Sequence, residues 1–208
     1  MKYYLVGGGD IKAGKLKRID SNALTHAKNK FVYVLDLSTN DKNKLEKYRE
    51  FLSSYFKDLG ATKIEFISTA KSSQEIKEEL NKAGIIYIPG GDTEILLNNI
   101  KKQKIATILK GLETIIIGNS AGALALGNET ILTKDEDTSE TKVIKGLSLL
   151  DFAVEVHYKK EKDKELAELS KSREIYAIPE NCAILFDGKF HYIGNIYKFS
   201  KGKKTRLN

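Results

Sequence analysis

Cysteine is nearly absent from this chain: Cys182 is the only one in 208 residues. That excludes an internal disulfide, fits a reducing cytoplasm, and leaves no thiolate set from which one chain could build a metal site. Cys182 lies in the apolar run Cys182-Ala183-Ile184-Leu185-Phe186 and reads as a buried structural thiol. The three histidines have no ligand spacing, and nothing like H-E-x-x-H occurs, so neither a metal nor any other cofactor is expected. Tryptophan is missing and no basic stretch is rich in aromatics, which removes a platform for stacking bases. No apolar run approaches the length of a membrane span. The N-terminus, Met1-Lys2-Tyr3-Tyr4-Leu5-Val6, enters a strand and reaches Gly7 too early for a signal peptide. These absences predict a cytoplasmic protein with no membrane and no nucleic-acid partner. The two prolines, Pro89 and Pro179, each follow a predicted strand. No repeat and no flexible linker divides the chain, so residues 1–208 are expected to form a single domain.

What is present is charge and short apolar runs. The chain is 41% hydrophobic and 30% charged, with a net charge of +7. The lysines are spread over predicted helix faces and mixed with acids. The exception, Lys201-Gly202-Lys203-Lys204-Thr205-Arg206, reads as a solvated tail. Residues 3–6 form the first predicted strand. It ends in Gly7-Gly8-Gly9-Asp10; a dinucleotide fingerprint would need glycine at position 12, where Lys12 stands, so the segment reads as a tight turn at the sheet edge. A short helix is predicted at 19–27, with His26 on its surface. Strands are predicted at 31–37, 64–67, 85–88 and 114–117, and helices at 41–59, 73–83, 93–100 and 105–109. Such alternation predicts a three-layer α/β fold, a mostly parallel sheet with helices on both faces. After Gly127 the character changes. Residues 134–142 read as a polar loop, 152–157 alternate, 160–172 form a charged helix, and 175–178, 183–186, 190–193 and 196–199 are short strands expected to extend the same sheet, partly in antiparallel pairs.

The chain is organised around Gly118-Asn119-Ser120-Ala121-Gly122. It follows a β-branched strand and precedes the small-residue helix Ala123-Leu124-Ala125-Leu126. This is G-x-S-x-G in a strand–turn–helix setting, where a serine is forced into the open on a tight turn. A serine needs a base to become a nucleophile. His157 ends an alternating strand in which Ala153, Glu155 and His157 share one face, and at the carboxyl edge of the sheet it would meet Ser120. His191, mid-strand in a late hairpin, is the other candidate. The base needs an acidic orienter: Glu180 just past a strand end is the first candidate, and Asp135 and Asp137 in the polar loop are the next. Glu155 suits substrate contact or support better. The oxyanion hole needs two amides. Ala121 supplies one by its place after the serine, and Gly90 or Gly91 supplies the other if the fourth strand neighbours the elbow strand. Asp92 and Thr93 are natural helix caps and, with Asn119 and Glu155, candidate substrate contacts.

At these residues the sequence resembles the dipeptidase E (α-aspartyl dipeptidase) and cyanophycinase family of serine peptidases. Pro89-Gly90-Gly91-Asp92-Thr93 with Leu96-Leu97 is similar to the family's Gly-Gly-x-Thr loop and helix. Gly118-Asn119-Ser120-Ala121-Gly122-Ala123 is similar to its nucleophile motif. Gly146-Leu147-Ser148-Leu149-Leu150 followed by Glu155-Val156-His157-Tyr158 is similar to its histidine segment, and Pro179-Glu180-Asn181-Cys182-Ala183 to its acidic segment. The resemblance implies a glutamine-amidotransferase-like α/β fold, Ser120 as nucleophile and His157 as base. Glu180 falls where cyanophycinase-like members place the acid, and an Asp in the post-elbow loop, Asp135, is the competing assignment. Glu155 stands where the family often has Asp, and Tyr158-Lys159-Lys160-Glu161 lacks the Phe and Arg-rich start often seen there. Both departures bear on aspartyl specificity. The expected function is a serine peptidase acting on small peptides by acyl-enzyme chemistry, with a small peptide as its partner. An esterase or amidase using the same serine, and a non-catalytic binder of a small ligand on the same fold, are the alternatives. A homodimer is a further expectation, with Tyr3 and Tyr4 as interface aromatics.

Overall fold

The computed structural model describes residues 1–68, 70–134 and 140–208. Its first part alternates, with two helices in succession before the fifth strand: β1 (Lys2–Val6), α1 (Lys17–His26), β2 (Phe31–Val34), α2 (Lys42–Asp58), β3 (Lys63–Phe66), α3 (Ser73–Lys82), β4 (Ile85–Ile88), α4 (Thr93–Lys102), α5 (Ile105–Lys110), β5 (Ile115–Asn119) and α6 (Ala121–Leu126). Helix starts follow local chemistry. Asp41 accepts from the Asn43 and Lys44 amides, Ser72 and Glu75 form a reciprocal capping box, and Asp92 accepts from the Ile95 amide, satisfying amides that the helix itself cannot.

Strands β1, β5, β4, β2 and β3 lie side by side in parallel. The two-residue period sorts their side chains into two layers. Leu5, Tyr33, Ile86, Ile88 and Ile116 face α3 to α6. Tyr4, Val6, Val32, Val34, Tyr87 and Ile117 face α1 and α2. Both faces are covered, which is why the strands read as unbroken apolar runs rather than as alternating ones. Helix α6 crosses so close to β4 that a Cβ on Gly122 would stand 2.1 Å from the Ile88 carbonyl oxygen. Only glycine fits there. Among the described residues no helix is long and apolar enough to cross a membrane.

The later part is β6 (Glu129–Leu132), β7 (Lys142–Lys145), β8 (Ala153–Glu155), α7 (Asp163–Leu169), β9 (Ile175–Ala177), β10 (Ala183–Phe186), β11 (Phe190–Ile193), β12 (Tyr197–Ser200) and β13 (Lys203–Arg206). Here the structure corrects the sequence reading. Only β10 and β11 extend the main sheet, antiparallel at its β1 side. Strands β8, β9, β12 and β13 form a separate four-stranded sheet. Strands β6 and β7 pair as a two-stranded ribbon where only the polar loop stood out in the sequence. The expected solvated tail is β13 and the turn before it, zipped antiparallel onto β12. The expected charged helix 160–172 is a 3-10 turn (Lys160–Lys162) followed by α7. Tyr3 and Tyr4 are buried in the two layers flanking the sheet and cannot serve as interface aromatics. Strand β1 is interior, so Gly7-Gly8-Gly9 is not at a sheet edge but at the carboxyl ends of the strands. Cys182 is a half-buried free thiol, raised above the usual thiol pKa by burial.

Candidate active site

The site is assembled where β1, β4, β5 and β8 all end. Register places Asn119 opposite Val6, so the chain breaks out of the sheet at Ser120. That residue has φ +52 and ψ −114 and is not helical. Its amide donates to the Val6 carbonyl at 3.0 Å, and its carbonyl accepts from the Ala123 and Leu124 amides at 2.8 and 3.0 Å. These bonds hold a conformation that costs roughly 1–3 kcal/mol in a non-glycine residue and turn Oγ toward the cleft. Three of the six non-glycine residues with positive φ among those described are Ser120, His157 and Asn181, a concentration of strain at one place.

Ser120 Oγ lies 2.8 Å from His157 Nε2, and His157 Nδ1 lies 2.9 Å from Glu180 Oε1. A carboxylate can only accept, so Nδ1 carries the proton and Nε2 is left to accept from the serine hydroxyl. The imidazole and the Glu180 carboxyl are about half exposed, at 44% and 53% of the side chain; substrate would have to exclude the water that now screens the pair. His157 follows β8 with φ +49, and its amide donates to the Gly7 carbonyl at 2.8 Å. Asn181, after Glu180, donates its amide to the Gly8 carbonyl at 2.9 Å. Gly8 has φ +93, and a Cβ there would stand 2.1 Å from His157 Cε1. The imidazole therefore packs directly on the Gly8 backbone. The glycine run after a strand, which in the sequence reads as a turn, is thus the seat of the imidazole.

The second expected half of the oxyanion hole is adjacent because β4 pairs with β5. A Cβ on Gly90 would lie 3.3 Å from Ser120 Cβ and 3.7 Å from its Oγ. The amides of Gly90, Gly91 and Ala121 have no hydrogen-bond acceptor among the described residues, which leaves them available to a ligand oxygen. The loop is tied down by buried Ser38, whose Oγ donates to the Gly90 carbonyl at 2.6 Å and whose carbonyl accepts from the Asp92 amide at 3.1 Å. Nothing in the sequence singled out Ser38.

Gly91, Asp92, Thr93, Ser120, Ala121, Glu155, His157 and Glu180 all line one cleft of about 1130 Å³. Asn119 does not: its side chain is buried beside Tyr87 on the opposite face of the sheet, which corrects the expected substrate contact. Asp92 is the α4 cap rather than Thr93. Glu155 is buried, accepts from Thr133 Oγ1 at 2.8 Å, and lies 3.9 Å from Lys162 Nζ. Asp135 and Asp137 lie outside the described residues. His191 is on the edge strand β11, 3.5 Å from Asp187, not at Ser120. Among the described residues no group of three His, Cys, Asp or Glu could hold a metal ion.

Behind His157, Tyr158 is buried and donates to Asp163. Lys204 Nζ donates to Tyr158 Oη at 2.5 Å and to Asp163 at 3.0 Å, and lies 4.5 to 5.8 Å from the ring centres of Tyr197, Tyr158 and Phe199. Burial and the hydrogen bond to Asp163 push the Tyr158 hydroxyl up to about 12. The β12–β13 hairpin is thereby fastened to the residue that follows the histidine.

Comparison with known proteins places the family and the fold. A family model described as peptidase family S51 matches residues 4–193. A protein named an uncharacterized peptidase from Listeria monocytogenes serovar 1/2a is 29% identical over 156 residues, 68% of this chain and 75% of the relative. The crystal structure of a peptidase from an acI-B1 Actinobacterium superposes with a TM-score of 0.78 at 17% identity, over 100% of this chain and 93% of that one. A structure described as that of a candidate peptidase E protein from Listeria monocytogenes EGD-e gives 0.65 at 22% identity, over 100% and 98%. These likenesses show that the mostly parallel α/β fold is shared with those two peptidase structures.

Proposed function

This chain belongs to peptidase family S51, and from that premise we propose that it cleaves small peptides through an acyl-enzyme formed on Ser120. The observation that carries the reading is the unbroken line from Ser120 Oγ through both ring nitrogens of His157 to Glu180, at 2.8 and 2.9 Å. His157 Nε2 takes the serine proton as Oγ attacks the scissile carbonyl, then gives it to the leaving amine. Water enters, loses a proton to the same nitrogen, and releases the acyl group and the serine. Glu180 keeps the imidazole in the tautomer that can accept and stabilises the imidazolium that forms. The negative oxygen of the tetrahedral intermediate is received by the Ala121 amide and by that of Gly90 or Gly91, whose freedom from other acceptors supports the assignment. Thr93 and Glu155, in the same cleft, are the substrate-facing groups of this reading.

The test is a fluorophosphonate probe on the purified chain, with the label mapped by peptide mass. Ser120 is expected to be labelled in wild type and unlabelled in Ser120→Ala and His157→Ala. A panel of dipeptides led by Asp-X is then expected to yield a turned-over substrate. Folded wild-type protein that resists the probe overturns the mechanism in favour of a ligand-binding role. Labelling with hydrolysis of simple esters and of no peptide favours the esterase or amidase reading.

A further inference from the structure

A second groove, of about 610 Å³, opens beside the cleft. Lys101 from the last turn of α4, Lys104 from the α4–α5 junction, Lys110 at the end of α5 and Lys145 at the end of β7 all line it. Glu94 is its one carboxylate. All four lysines are exposed, and among the described residues none of them is in an ion pair. The C-terminal ends of helices favour cations, which accounts for Lys101 and Lys110 but not for Lys104 or Lys145. Among the described residues of the groove, four lysines from separate elements share one carboxylate, and their like charges repel one another. An anionic occupant would relieve that repulsion.

The lining also says which anion. No aromatic, histidine or arginine is in it, so it can neither stack a base nor grip a phosphate with a planar fork. Lysines act as point charges, and Leu97 and Leu147 give the groove an apolar strip. Volume in this range suits a short chain segment, since ligand sites run from roughly 300 to 1,000 Å³. Glu94, on the first turn of α4, lines both this groove and the cleft holding Ser120, so the two adjoin at that side chain. We propose that the groove is an exosite for acidic residues of a peptide substrate longer than a dipeptide, remote from the bond that is cut. The proposal rests on the peptidase mechanism given above. It adds a charge preference carried by residues outside the reacting groups.

Binding is read without turnover, on full-length Ser120→Ala protein with fluorescein-labelled hexaglutamate, by anisotropy. Exposed ion pairs are individually weak, so Lys101→Glu/Lys145→Glu is expected to weaken binding about tenfold. The corresponding alanine pair should give a smaller loss, and rising ionic strength should weaken all three. Equal affinity in the charge-reversed variant, equal binding of hexaserine or hexalysine, or tighter binding of a single-stranded oligonucleotide of the same charge would overturn the proposal. On the Ser120 protein, a fluorogenic peptide extended with glutamates is expected to show a lower KM than its serine-extended twin. Charge reversal should erase that difference while leaving dipeptide kcat unchanged. Hexaglutamate binding with no such KM difference also overturns it. Fluorophosphonate labelling of Ser120 does not involve the groove, so loss of the exosite and loss of the mechanism are told apart.

Discussion

A methyl group at residue 8 would occupy the space of the His157 imidazole, since the Cβ position is 2.1 Å from Cε1. Glycine is required there twice over, for that contact and for a φ of +93. Gly8→Ala is expected to displace the ring and lower kcat/KM by about a hundredfold or more, because a displacement near 1 Å has that effect on an aligned catalytic group. The far-UV spectrum should be unchanged, and fluorophosphonate labelling should slow in parallel with turnover. Near wild-type kinetics would mean that the histidine is held by other contacts. Ser120, His157 and Glu180 were legible in the sequence because each stands just after an apolar run, where side chains emerge at the end of a sheet. Gly8 and Ser38 were not. Each acts through backbone contact with a segment far along the chain, and no local pattern encodes that.

The same contrast holds for elements. Strands β2, β4 and β5 were readable from short apolar runs, because burial on both faces leaves no other composition. Their neighbours later in the chain were not assignable to a sheet. Strands β9 and β10 are both short and apolar, and a two-residue period says which face is buried without saying which strand lies alongside. The hairpin β12–β13 was hidden by its charge: Lys203 and Lys204 look like tail, yet Lys204 is set among Tyr158, Tyr197 and Phe199 beside Asp163. A cation over aromatic rings contributes about 0.5–2 kcal/mol. Lys204→Ala is therefore expected to lower Tm by several degrees, at about 2–4 °C per kcal/mol for a chain of this size. Lys203→Ala, on an exposed side chain, should leave the melt unchanged. Equal melting of wild type and Lys204→Ala would show that the hairpin is not fastened through this contact.

For the molecule as a whole, stability should depend on pH through Asp20. Its carboxyl is buried, with Oδ2 accepting from Tyr55 at 2.6 Å and Oδ1 without a partner among the described residues. Burial pushes it up to about 7, against a smaller downward pull from the Tyr55 hydroxyl. An unfolded Asp releases its proton near pH 4. Between those values the folded state binds more protons than the unfolded one, so stability falls as pH rises from about 4 to about 7 and stays at the lower level above. The full loss is roughly 4 kcal/mol at most. Asp20→Asn keeps an acceptor for Tyr55 and carries no charge. It is expected to raise stability in urea at pH 8 and to change little at pH 4. An equal gain at both pH values would locate the effect in packing instead. At this scale the α/β architecture was legible from alternation alone, while the division of the described strands into three sheets came only from long-range pairing.

The pairing of β1 has a consequence for how the protein comes into being. Strand β1 lies between β5 and β10, with Val6 opposite Asn119 on one side and Ala183 on the other. Its carboxyl end carries the glycines that seat His157 and Asn181. Synthesis proceeds from the N-terminus, so β1 is made well before both of its partners and must wait for them. Pairing over such separations is slow. A nascent or truncated chain would hold Ser120 without a seated histidine beside it. A ribosome-bound chain is therefore expected to stay inert toward its neighbours until the segments carrying His157 and Glu180 have been made and paired.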